Sequence, residues 1–263
     1  MEVHTLAKKV KAPIYTEDRK GFWSRLFKFL VKFLYGKYTY IYHDEKPEEP
    51  SIFIANHTYY IGPLVMQYQY PGNIRTWSNS KFFTKETSLT YMRYKFSDGK
   101  RCGKFISFLI AIINPIVVWF YSKKLNAIPV YHDFDVAKTF RTSSETLSNG
   151  SHIAIYPEQV NAKFNGVLSE FATGFTYTAQ THHRQTGECV KFYPIYLAQE
   201  LKEVHFGKPI KYDPEIPMKE QSLIITNYLF DNIMELHSKL PPHKIVPMFK
   251  EEKPKKKPRT KKK

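Results

Sequence analysis

Two hydrophobic periods alternate along this chain. Short apolar runs of strand length are separated by longer stretches in which apolar residues recur every three or four positions. The clearest periodic stretch is "GFWSRLFKFLVKFLYGKY", Gly21 to Tyr38. Arg25, Lys28 and Lys32 fall on one helical face there, and Phe22, Trp23, Leu26, Phe27, Phe29, Leu30, Val31, Phe33 and Leu34 cover nearly everything else. A broad aromatic face beside a narrow, purely cationic one suits a helix lying flat in an anionic headgroup layer, with Trp23, Arg25, Phe27, Lys28 and Lys32 as its contact residues. The plainer alternative is a helix packed on a domain core with a solvated lysine edge.

Beyond a charged connection holding a short strand at "YTYIY", the stretch "SIFIANHTYYIGPLV" (Ser51 to Val65) opens as an apolar strand and breaks into Asn56-His57. "IRTW" (Ile74 to Trp77) is a further strand, and "SKFFTKE" leads into a helix. "NAIPVY" predicts a strand, and "DVAKTFRTSSETLSNG" a helix stopped by Asn149-Gly150. "HIAIYPE" is a strand ending in Pro-Glu, and "GVLSEFATGFTYTAQTHHR" the next helix. "CVKFYPIYL" and "LKEVHFGKPI" are strands, and "MKEQSLIITNYLFDNIMELHSKL" is a closing long helix. Strands alternating with helices predict an α/β fold, a mixed and largely parallel sheet flanked by helices. Polar residues at the carboxyl ends of such strands are favoured site residues, and His57 and Glu158 both stand there.

One segment fits neither period. Phe105 to Tyr121, "FISFLIAIINPIVVWFY", runs seventeen residues without a charge. As a helix it spans about 25 Å, short of a hydrocarbon core of roughly 30 Å, and Asn114-Pro115 interrupts its middle. The expectation is a buried helix followed by a second buried segment, or a hairpin dipping into one leaflet.

Composition narrows the class. With 263 residues, 42% hydrophobic and 24% charged, the body of the chain can bury a full core. The 19 Tyr and 20 Phe suit a protein working at an apolar boundary, or an ordinary aromatic core. Cys102 and Cys189 are far apart, which fits a reducing compartment without a disulfide framework, and the first fifteen residues hold no apolar run of signal-peptide type. Net charge is +16, and the segment from Lys250 to Lys263 supplies nine Lys/Arg against two Glu, hence +7 of it. The organisation expected is an extension over residues 1–20, an amphipathic helix over 21–38, an α/β domain over 39–249 and a disordered basic tail over 250–263. Such a tail binds any polyanion, but no helix-turn-helix, zinc-finger or RNA-sheet signature accompanies it, so a nucleic-acid partner is disfavoured. Phosphate-binding glycine loops and zinc-protease motifs are missing as well. Adjacent His182 and His183 would point about 100° apart on a helix, so no metal site is expected.

Four stretches, in order, carry a resemblance: "ANHTYYIGPLV", "LNAIPVYHD", "IAIYPEQVNAKFNGVLSEFATG" and "KFYPIYL". Together, over roughly Ala55 to Leu197, they resemble the glycerophosphate and lysophosphatidate acyltransferase family. The resemblance implies an α/β domain on the cytoplasmic face of a membrane, peripheral or monotopic. It implies transfer of an acyl group from a coenzyme A or acyl carrier protein thioester to a hydroxyl of a lipid or glycolipid acceptor, with no tightly bound cofactor. In the family a His takes the acceptor's proton and an Asp five residues on orients it. His57 matches the base and Asn56 its neighbour, while Glu158 matches the acid of the third motif.

The sequence departs from that pattern at the residues that matter. Gly62 stands where the Asp belongs, and Gln159, Val160 and Asn161 replace the residues after Pro157-Glu158, including a phosphate-clamping Arg. Tyr131 and His132 follow the second motif, and Ala172 stands where a Lys is common. Asp133 or Asp135, after the "IPV" strand, is the acid that would have to orient His57. Asn56, Glu158 and Asn161 are the substrate-binding positions, with Lys163 or Arg141 as a relocated positive charge. Three readings stay open: an acyltransferase with an altered site, an acyltransferase fold that has lost its chemistry and binds lipid or a membrane partner, and a basic polyanion-binding protein.

Overall fold

Ile-Phe-Ile-Ala has no polar face, so β2 (Ile52–Ala55) needs cover on both sides of its sheet. All four residues are buried at the middle of an eight-stranded sheet. The computed structural model describes residues 22–59, 61–96, 103–120, 125–132, 134–159 and 162–247. Its strand order is β1 (Thr39–Tyr42), β7 (Glu203–Phe206), β6 (Lys191–Ala198), β2, β5 (His152–Ile155), β3 (Ile74–Asn79) and β4 (Ile128–Val130), with β8 (Ile210–Lys211) also paired to β6. β6, β2, β5, β3 and β4 run parallel. β7 and β8 are antiparallel to β6, and β1 is parallel to β7. This mixed, mostly parallel sheet flanked by helices is the α/β architecture that the alternation predicts.

Alternate residues of each strand feed two cores. Ile52 and Ile54 join Phe192, Tyr196 and Leu147 beneath α5 (Val136–Ser148), α6 (Tyr177–Thr186) and α7 (Met218–Ser238), which contributes Ile225, Leu229 and Ile233. Phe53 and Ala55 face the other way, onto Val65 and Met66 of α2 (Ile61–Gln69). Full burial of each such side chain stabilises the fold by about 1.5–3 kcal/mol. α1 (Phe22–Tyr35) docks outside α2 through Val31 and through Phe27, which stacks on Tyr68.

Two expectations fail. The helix expected from Gly166 begins only at Tyr177, after one 3-10 turn over Gly174–Thr176. Residues 166–173 instead lie against the chain beyond β5, with isolated bridges pairing Glu158 to Phe171 and Phe164 to Ser169. Backbone pairing there outcompetes the helical spacing of Val167, Leu168 and Phe171. The charge-free stretch is also neither broken nor buried. α4 (Lys104–Trp119) continues as one helix past Pro115 and packs one side on α3 (Lys85–Phe96), where the Asn114 amide donates to the Lys85 carbonyl at 2.6 Å. Phe105, Phe108, Ile112 and Ile116 are exposed.

Histidines pin the elements around β6 and β7. Buried His205 is 2.9 Å from His43 and 3.0 Å from Glu203 Oε2. Its cross-strand partner Tyr196 places its hydroxyl 3.0 Å from His237 and 2.7 Å from His243. His182 lies 3.1 Å from Ser144 Oγ. Burial lowers the pKa of all three of His182, His205 and His237. Glu188 opposes this for His182 and Glu203 for His205, while His43 and His243 add to it at His205 and His243 adds to it at His237. A histidine with a folded-state pKa below its unfolded value of 6.5 gives stability that is fully present above that value and lost as pH falls through it. The expected outcome is a melting temperature at least ~5 °C lower near pH 5 than near pH 7.5. Scanning calorimetry checks this, and an unchanged melting temperature across that window contradicts it.

Candidate functional site

The parallel ladder of β2 stops at Ala55, and the next residue continues it with a side chain. The Asn56 amide donates to the Leu197 carbonyl at 3.2 Å and accepts from the Leu197 N–H at 2.7 Å. Two charge-free hydrogen bonds thus carry the pairing of β2 with β6 one step beyond its backbone, and they occupy both ends of the amide. Asn56 is 5% exposed, so an unpaired amide there would be costly.

Glu158, just past β5, clamps the other side. Its Oε1 accepts from the His57 N–H at 2.6 Å and its Oε2 from the Ser169 N–H at 2.9 Å. One carboxyl therefore ties the exit of β2 to the loop that leads to α6. Burial raises the pKa of Glu158, and the two backbone donors pull it back down. Each of its two oxygens accepts one backbone N–H.

His57 itself is half-buried, and its ring sits 5.0 Å from the Tyr156 ring. Burial lowers its pKa to about 4, only partly offset by the Tyr59 backbone. Its Nδ1 is buried and has no hydrogen-bond partner among the described residues. The chain then turns into α2 through Tyr59, whose φ of 53° puts a bulky side chain in the left-handed region at a cost of about 1–2 kcal/mol.

Gly62, at the start of α2, has little space beside its Cα. A Cβ on Gly62 would lie 2.8 Å from Thr58 Oγ1 and 3.5 Å from Tyr156 Cε1. Thr58 is buried, its hydroxyl is unpartnered among the described residues, and so is that of Tyr156. Sequence reasoning did not single out Thr58. Only the proximity of Gly62, four residues on, exposes its steric role.

The other candidates scatter. Asp135 follows β4, three strand spacings or about 14 Å from β2 in the sheet, and pairs with Lys138 at 2.8 Å. It is not brought to His57. Arg141 is exposed on α5 and Lys163 is exposed in the loop after β5, and no hydrogen bond or ion pair joins either to His57 or Glu158. Asp133 and Asn161 lie outside the described residues. On α1, Arg25, Lys28 and Lys32 are exposed on one stripe, beside Phe22, Phe29, Phe33 and Leu34. Phe27 is turned inward, between Tyr68 and Phe120, because it lies on the face that docks onto α2. The Trp23 side chain lies outside the described residues. Among the described residues no group of three or more His, Cys, Asp or Glu is placed to hold a metal ion.

An acid beside the ring would reverse its titration. In the native chain the His57 imidazole is expected to titrate at about 4 by NMR. The pair Gly62→Asp with Thr58→Ala, which clears the 2.8 Å approach, should raise that value. A native value near 6.5 would sink the burial argument.

No family model matches this sequence, and no curated protein matches it. Among solved structures, the 1-acyl-sn-glycerophosphate (LPA) acyltransferase PlsC from Thermotoga maritima is similar over 82% of this chain and 79% of that one, at 13% identity and a TM-score of 0.44.

Proposed function

We propose that this chain is a membrane-surface protein of acyltransferase architecture that binds acyl lipids without turning over thioesters. One observation carries the reading: Asn56 and Glu158, the polar residues that flank His57, are hydrogen-bonded to backbone, and Thr58 Oγ1 crowds the space a Cβ at position 62 would take. Losing an orienting acid costs about 10⁴-fold in a His-based active site. A conjugate-acid pKa of about 4 also makes His57 a weak base. Lipid as the partner is supported by the exposed aromatic stripe of α1 beside Arg25, Lys28 and Lys32, a pairing suited to an anionic surface. Attachment is peripheral or monotopic, on the cytoplasmic face. Among the described residues no helix is long and apolar enough to cross a membrane.

A second reading is favoured by the place of His57 at the carboxyl end of a central strand, with a neutral ring at pH 7. There His57 takes the proton of a lipid or glycolipid hydroxyl as that oxygen attacks the thioester carbonyl of an acyl-CoA or acyl carrier protein. The thiolate leaves and is reprotonated. This reading needs Asp133 to orient the ring from beyond the same strand β4 that Asp135 follows, with Lys163 or Arg141 as the anion contact.

The whole chain, with either thioester and a panel of lipid acceptors, should release thiol no faster than His57→Ala. A rate at least ~10-fold above that variant overturns the first reading and establishes the second. Reversing Arg25, Lys28 and Lys32 to Glu should weaken binding to anionic vesicles at least ~100-fold, at about 1 kcal/mol per charge near the surface. Co-sedimentation reads it, and tight binding to duplex DNA with no binding to vesicles would contradict the lipid partner.

A further inference from the structure

α4 is arranged opposite to a water-facing helix. At 100° per residue, Phe105, Phe108, Ile112, Ile113, Ile116 and Trp119 fall in an arc of about 140° that contains no polar residue. All six are at least 43% exposed. The polar Asn114 sits on the opposite side, 3% exposed, with its amide on the Lys85 carbonyl of α3. Polar groups therefore point into the protein and large apolar ones out of it. Contiguous exposed apolar surface of this kind marks an interaction face.

The adjoining charge tells which partner fits. Phe120, directly after α4, meets Phe27 of α1 edge-on at 5.0 Å, so the two exposed apolar stripes belong to elements in contact. α1 carries the cationic row of Arg25, Lys28 and Lys32, and exposed Lys104 begins α4. A second copy seated face to face would bring the same cations against one another, an arrangement that like-charge repulsion opposes. An anionic leaflet meets both halves of the surface, with acyl chains for the α4 face and headgroups for the cations. Sixteen residues span ~24 Å, and one side of the helix is committed to α3, so α4 fits along a leaflet and not across it.

We propose that α4 lies in the plane of one leaflet of an anionic bilayer, its Phe105–Trp119 face at acyl-chain depth and the α1 cations at headgroup level. This rests on the membrane reading above and adds a second, deeper element to it. The test uses the whole chain and vesicles of phosphatidylcholine with a minority of phosphatidylglycerol, with and without bromine on the acyl chains. Part of the tryptophan fluorescence should be quenched by the brominated chains, and that part should vanish in Trp119→Phe. Ile112→Glu with Ile116→Glu should lower the partition coefficient at least ~10-fold while the circular dichroism stays native. Vesicle binding that persists with Trp119 unquenched overturns the placement of α4 and leaves the membrane reading standing. Absence of vesicle binding, together with a dimer in sedimentation that Ile112→Glu/Ile116→Glu dissociates, overturns both and makes the face a contact between copies.

Discussion

The open end of the sheet is held by side chains doing the work of backbone. Where β2 leaves its neighbours, its amides and carbonyls lose their ladder partners, and a buried unpaired N–H costs about 1–3 kcal/mol. The Asn56 side chain removes that cost for the backbone of Leu197 on β6, and Glu158 removes it for the N–H groups of His57 and of Ser169 in the loop before α6. Everything at this end inherits its position from those two clamps. The His57 ring, the left-handed turn at Tyr59 and the start of α2 at Ile61 all follow within five residues of Asn56.

That dependence changes what the polar residues at the strand ends mean. Asn56 and Glu158 look like chemistry in a string of letters because polar residues after buried strands often are. Their hydrogen bonds give them a reason to be kept that has nothing to do with a substrate. His57 differs, since the clamp engages only its main-chain N–H while burial, partly offset by the Tyr59 backbone, governs its ring.

The layered fold was legible in the alternation of short apolar runs with helical ones, and the strand-end positions of His57 and Glu158 with it. The loop over 166–173 was not, because Val167, Leu168 and Phe171 repeat at helical spacing while the pairing that captures them comes from Glu158 and its neighbours. Phe27 was misplaced for a related reason. A helix that is apolar on most of its circumference does not say which part meets protein and which meets something else. The same ambiguity applies to α4, where hydropathy marks the segment but only exposure shows that its apolar side faces outward. The crowding of position 62 by Thr58 was not legible either, since nothing in the identity of a threonine four residues before a glycine announces a 2.8 Å approach.

Gly62 and Thr58 also constrain how this site can change. Any side chain arriving at position 62 while Thr58 is in place brings its Cβ to 2.8 Å from the Thr58 hydroxyl, so the threonine has to shift or change with it. A smaller residue at 58 clears that approach and leaves position 62 free to vary. The two positions are therefore coupled: what can stand at 62 depends on what stands at 58.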